Sequence, residues 1–174
     1  MTAEPVDPLR HRIMAAVRPE NSKAELLVRS YLHRHGLRFR LYVSSLPGRP
    51  DLILPKWGAA VFIHGCFWHR HAGCAKATTP KTRRAFWLDK FERNLERDRA
   101  ACAALLDAGW RVAIVWECSL NRSVCGRTLR ALLSWIRSDA VFLDVSLGVP
   151  GLICLRERST REDGVIALSI GNCQ

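Results

Sequence analysis

The chain predicts an α/β domain, a mixed sheet flanked by helices, and three observations carry that prediction. Two stretches of helical apolar spacing, near residues 22–35 and 83–108, alternate with short apolar runs. The run Arg111–Trp116 (RVAIVW) is apolar on both faces, as an interior strand is. Turn signals at Leu46–Pro50 and at Lys56-Trp57-Gly58 bracket two short apolar segments, Asp51–Leu54 and Ala59–Ile63. The order helix, three strands, helix, strand, helix fits a layered architecture.

In chain order, residues 1–20 carry two prolines before Arg10 and read as a loose basic arm, with a helical turn at Ile13–Val17. Such an arm either reaches over DNA or is a frayed terminus without a role. Ser22-Lys23-Ala24-Glu25 fits a capping box, followed by apolar Leu27, Tyr31 and Leu32 and stopped by Gly36. Leu37, Phe39, Leu41 and Val43 alternate with Arg38, Arg40 and Tyr42, which predicts a strand with one wet, basic face. The two central strands come next. The loop Cys66–Lys81 is long for a compact domain and reads as functional or tethered.

In the following helix Phe86, Leu88, Phe91, Leu95, Cys102, Leu105 and Leu106 keep helical spacing until Gly109. Thr128–Arg137 predicts another amphipathic helix and Val141–Val145 a strand, while residues 148–174 read as a weakly defined tail. The domain reading is an arm over 1–20, a folded domain over 21–140 and a tail of uncertain structure over 141–174.

Composition narrows the function classes. A chain of 174 residues, 48% hydrophobic, builds a real core as one compact domain, expected to be monomeric. No apolar run approaches the roughly 20 residues of a membrane span. The start MTAEPVDPLRHR lacks a secretory pattern, so a cytoplasmic protein without a membrane partner is expected. The formal charge of +11 favours a polyanionic partner. Seven cysteines in such a chain rarely mean disulfides. Cys102, Cys125, Cys154 and Cys173 read as small hydrophobes or free thiols.

The chemistry concentrates between Leu46 and Cys74. Cys66, His71 and Cys74 are three zinc-type ligands within nine positions, and Cys118, just past an interior strand, is a candidate fourth. A closed set of four would brace the loop and leave no open position for chemistry. That leaves His64 and His69, either of which can move a proton, position a phosphate, or be a spare ligand or satisfied loop residue. Asp51 is the only acid between Glu25 and Asp89, which suggests a hard-cation ligand, typically for Mg²⁺, or simply a turn aspartate after Pro50. Glu25 either closes its capping box or turns toward that metal. Phe67, Trp68, Phe86 and Trp87 are core residues or an aromatic wedge between base steps. Lys76, Lys81, Arg83 and Arg84 around them suit phosphates or a solvated face.

At these residues the chain resembles the very short patch repair (Vsr) family of DNA mismatch endonucleases, which nick DNA at T:G mismatches left by deamination of 5-methylcytosine. The matching text is NSKAELLVRSYLHRHGLRFRLYVSSLPGRPDLILPKWGAAVFIHGCFWHRHAGC and then ATTPKTRRAFWLDKFERNLERDRAACAALLDAGWRVAIVWEC, and the resemblance covers roughly residues 10–137. It implies a restriction-endonuclease-like fold and a structural Zn²⁺ at Cys66, His71, Cys74 and Cys118. It implies catalytic Mg²⁺ on Asp51 and the backbone carbonyl of Ile63, with Glu25 reaching the metal's water shell. His69 is then the base that prepares water, His64 contacts the reacting phosphate, and Phe67, Trp68 and Trp87 form the wedge. Double-stranded DNA with a T:G mismatch is the implied partner, with repair-pathway proteins as further partners. The second acid and lysine of the broader nuclease superfamily are missing, since Phe62-Ile63-His64 stands in their place. Two alternatives accompany this expectation. One is a nuclease of different site or lesion specificity, tied to a restriction–modification system. The other is an inactive zinc-stabilised DNA-binding module, whose mark would be a missing Asp51 or His69.

Overall fold

In the computed structural model the described residues are 20–146 and the backbone of 153–156. Among them the strands form one six-stranded sheet in sequential order, β1 Arg40–Leu41, β2 Leu52–Leu54, β3 Ala59–His64, β4 Arg111–Trp116, β5 Phe142–Val145 and β6 Ile153–Arg156. The sheet is mixed. β1, β2 and β3 are antiparallel neighbours, β3, β4 and β5 run parallel, and β6 returns antiparallel to β5. Parallel neighbours need crossovers, and two helices supply them, α2 (Arg84–Asp107) between β3 and β4 and α3 (Cys125–Ile136) between β4 and β5. α1 (Lys23–Arg34) precedes the sheet.

Helix boundaries follow from local chemistry. The Ser22 side chain accepts from the Glu25 backbone N–H at 3.2 Å, and the Glu25 carboxylate accepts from the Ser22 N–H at 3.3 Å, so the capping box is closed. Gly36, at φ +80, ends α1 and sends the Leu37 N–H back to the Leu32 carbonyl at 3.1 Å. Leu37 is thereby buried with the helix end rather than in a strand. That shortens the strand expected over Leu37–Val43 to Arg40–Leu41, both exposed, because Tyr42 turns to φ +50 and breaks the ladder.

The alternation along the strands sorts two cores. Val28 and Leu32 of α1 and Leu129, Leu132, Leu133, Trp135 and Ile136 of α3 pack on one sheet face, against Leu52, Leu54, Val61, Ala113, Val115 and Leu143. On the other face Leu105 of α2 packs against Ile53, Ala60, Phe62 and Val112. The result is three layers, with β3 and β4 buried on both sides. Leu105 is fully buried, and truncating it to alanine costs about 2–5 kcal/mol.

The described residues also correct the expectation for the C-terminal region. The sheet continues past residue 140, and within the stretch read as a weak tail Ile153–Arg156 pairs with β5, Val145 facing Ile153 and Phe142 facing Arg156. β5 would otherwise present an unpaired edge, and this strand covers it. The remainder of the tail, and the arm apart from Glu20, lie outside the described residues. No helix of the described residues is long and apolar enough to cross a membrane.

Candidate active site and metal centre

Everything chemical gathers at the C-terminal ends of β3 and β4. Their parallel register places His64 opposite Trp116, so two residues further along each chain Cys66 and Cys118 come together. Cys66 and His71 are tied by the His71 N–H to the Cys66 carbonyl at 3.1 Å, and Cys74 by its N–H to the His71 carbonyl at 3.2 Å. Ligand atoms of Cys66, His71, Cys74 and Cys118 all lie within 4.8 Å of one another. His71 Nδ1 stands 3.7 Å from Cys66 Sγ and 3.2 Å from Cys118 Sγ. A tetrahedral zinc with bonds of about 2.0–2.3 Å sets ligand atoms about 3.5–3.8 Å apart, so these residues fit a closed zinc site. Burial and the neighbouring Cys118 push the Cys66 thiol up to about 12, and a dication is what stabilises a thiolate in such a place.

Beside this cluster, on the α2 face, opens a cleft of about 210 Å³ lined by Glu25, Asp51, Ile63, His64, His69 and Asp98 among others. Its wall forms where the Leu46–Pro50 turn presses on α2. Gly48 has φ +69, and a Cβ there would stand 2.5 Å from that of Ala101, so only glycine allows the approach. Asp51 precedes β2 and accepts from the Ile63 N–H at 2.7 Å. Burial pushes its carboxyl up to about 6, against that hydrogen bond. A buried, poorly compensated carboxylate next to the end of a strand suits a hard cation, so the residues fit Mg²⁺.

His64 and His69 stack face to face, centroids 3.9 Å apart and planes within 8°. Burial, and then the neighbouring His69, push His64 down to about 3, so it is neutral at physiological pH. His69 Nδ1 lies 2.5 Å from Asp98 Oδ2. Burial opposes the Asp98 charge, but the bond with His69 outweighs it and holds the carboxyl below its usual range. An ionised carboxylate only accepts, so Nδ1 carries the proton and Nε2 is left basic.

Glu25 closes the capping box, and it also lines the cleft. Its Oε2 also accepts from Arg29 Nη2 at 2.6 Å, from the Asn21 N–H at 3.1 Å and from the Tyr42 hydroxyl. Burial opposes its charge, yet those hydrogen bonds keep the carboxyl below its ordinary value.

The aromatic residues form one connected, half-buried group rather than separate projections. Phe67 stands 5.0 Å from Trp68, 5.6 Å from Trp87 and 5.2 Å from Phe91, each nearly edge-on. Phe86 is 42% exposed at its margin. Of the four cations expected around them, Lys76 is held by Glu117 at 3.1 Å and Arg83 lies over Phe86 at 4.6 Å, while Lys81 and Arg84 are exposed. The sequence reading missed Asp98 and the Arg29–Tyr42 brace on Glu25. Asp98 had one signal, an acid on the inward stripe of α2 marked by Phe91, Leu95, Cys102 and Leu105.

A model of the family described as DNA mismatch endonuclease Vsr matches residues 6–76. The chain is 47% identical over 112 residues to the type II nicking enzyme V.XorIIP of Xanthomonas oryzae pv. oryzae, covering 64% of this chain and 82% of that protein. It is 44% identical over 112 residues to the DNA mismatch endonuclease Vsr of Escherichia coli, covering 64% and 71%. Against the type II nicking enzyme V.NmeAIP of Neisseria meningitidis it is 40% identical over 133 residues, covering 76% and 94%. Similarity of this extent, over a mixed sheet that ends in a four-ligand cluster and a carboxylate–imidazole cleft, shows that the chain belongs to the Vsr family of DNA mismatch endonucleases.

Proposed function

We propose that the chain is a Mg²⁺-dependent, strand-specific endonuclease that hydrolyses the phosphodiester 5′ to the thymine of a T:G mismatch. The observation that carries the proposal is the convergence of Asp51, His69 and Asp98 in one cleft, beside the Cys/His cluster of the loop bearing His69. Asp51 and the Ile63 carbonyl would hold Mg²⁺, with Glu25 reaching its water shell; bound there, the ion neutralises the scissile phosphate and acidifies its water. His69 takes the proton of the attacking water on Nε2, and Asp98 stabilises the imidazolium that forms. His64 stays neutral, which keeps a second positive charge out of the 3.9 Å stack, and donates to a phosphate oxygen. As water's oxygen bonds to phosphorus, the bond to the leaving sugar oxygen breaks, and that oxygen takes a proton from solvent water to leave as a hydroxyl.

Zn²⁺ at Cys66, His71, Cys74 and Cys118 is structural in this reading. Phe67, Trp68 and Trp87 form the wedge, which favours a mismatch because a weakened pair is cheaper to open. Lys76, Lys81, Arg83 and Arg84 meet phosphates, and the chain works as a cytoplasmic monomer.

A second reading is a nuclease of different site or lesion specificity tied to a restriction–modification system, and the relatives named as type II nicking enzymes keep it in view. One assay separates the two: nicking of T:G, matched and other mismatched duplexes, with and without Mg²⁺. Metal-dependent nicking of T:G alone supports the first reading. Equal nicking of a matched duplex overturns it, and no nicking anywhere leaves only a zinc-stabilised DNA-binding module.

A further inference from the structure

A carboxylate sits where the fold would take an apolar residue at less cost. In β5, Phe142, Leu143 and Val145 are apolar, yet Asp144 pairs with Ile114 on the α2 face and is half-buried. Taking a carboxyl out of water is unfavourable unless a partner rewards it. The partner is Trp116, whose Nε1 donates to Asp144 Oδ1 at 2.8 Å. Trp116 is itself only 9% exposed and stands between the two chemical centres. One contact is a stack on His71 of the Cys/His cluster, centroids 4.3 Å apart and planes at 12°. The other is a steep contact with His64, 5.3 Å away at 76°.

We propose that Asp144 and Trp116 form a positioning pair that registers the His64–His69 stack on the Cys/His cluster. Asp144 fixes the rotation of the indole through Nε1. The indole fixes the height of His64 against His71, and His64 fixes His69 by stacking at 3.9 Å. A ring held only by packing can tilt, whereas one also held by a part-buried hydrogen bond is restrained in rotation. Neither residue touches the reacting atoms, so both act through the histidines.

The inference rests on the nicking reading, and the test reads the histidines directly as well. Asp144→Leu removes the acceptor at similar volume; Asp144→Asn keeps an acceptor oxygen for the indole. With Asp144→Leu, kcat for nicking a T:G duplex is expected to fall about tenfold, as loss of an orienting partner does, with KM within about twofold. Asp144→Asn should restore kcat to within about threefold of wild type. Metal analysis should give wild-type zinc content in both, and the ring resonances of His64 and His69 in NMR spectra should shift in the leucine variant alone. Should Asp144→Leu fail to fold, Trp116→Phe serves, since it retains a ring against both histidines and loses only the donor and part of the ring system. Wild-type kcat and unmoved histidine resonances in the folded variant would overturn the proposal. So would a loss of kcat matched in full by Asp144→Asn. If the wild-type protein nicks no duplex, the functional reading fails, while the histidine resonances still decide whether the pair positions the rings.

Discussion

The Cys/His cluster and the Asp51 cleft lie a few residues apart on the same two strand ends, yet they solve opposite problems. In the cluster four ligand atoms face one another and Cys66 and His71 are nearly cut off from solvent, so a bound ion is enclosed by protein. In the cleft the carboxylates of Glu25, Asp51 and Asp98 are spread around an open volume, and Asp51 is held near 6 by burial, with no cationic side chain among the described residues bonded to it. A site that is saturated by its own side chains contributes stability. One left incomplete contributes binding and chemistry, and loses stability in doing so. The difference teaches that metal-type residues are not equivalent. What the protein already supplies decides what remains for a ligand.

That contrast can be broken first on the stability side. Removing metal with a chelator, or Cys118→Ser, should lower the thermal midpoint by about 10 °C or more, because site formation and folding are coupled. Nicking should disappear in parallel. A chelated protein that melts at the untreated temperature would mean the cluster braces nothing. The cleft should behave in the reverse manner. Asp51→Ala should cost roughly a thousandfold or more in nicking with an undiminished melting temperature, since it removes a buried carboxylate rather than a core contact.

Smaller effects sharpen the same comparison. Asp98→Asn should lower kcat by about 10–100-fold with unchanged zinc content, as loss of the partner that sets an imidazole tautomer does. The raised Asp51 carboxyl makes protons compete with Mg²⁺ as pH falls through about 6. On going from about pH 7.5 to about pH 5.5, the Mg²⁺ concentration for half-maximal nicking should rise about fourfold, the change in the ionised fraction of that carboxyl. The smallest effect belongs to the exposed cations. Lys81→Ala should weaken binding to all duplexes alike and reduce the salt slope by about one, with cleavage of bound DNA unchanged.

How much of this was legible depended on whether the cause was local. Ser22 and Glu25 close a box three residues wide, and Gly36 ends the helix by its own backbone freedom, so α1 could be read directly. Arg111–Trp116 was found to the residue because burial on both faces leaves an unbroken apolar run. Cys66, His71 and Cys74 share one loop, and the cluster was visible for the same reason. Asp98 became a partner of His69 only when α2 docked across the sheet, and no spacing along the chain encodes that docking. Leu37 misled for a related reason. Its apolar side chain serves the helix end, yet in sequence it continues an alternation that ends at Tyr42. β6 escaped because a short apolar strand is recognisable only once a neighbour offers it an edge.

The order of the cluster's ligands along the chain has a consequence for synthesis. Three of them precede α2 and the fourth follows β4, so an ion held there would close a loop containing the whole of that helix and strand. A nascent chain that has emerged only as far as Cys74 offers an ion three donors at most. A fourth donor would be available only once Cys118 has been made and β4 has paired with β3. Loading of such a site would therefore come late in assembly, with the helix bearing Asp98 already formed between its ligands.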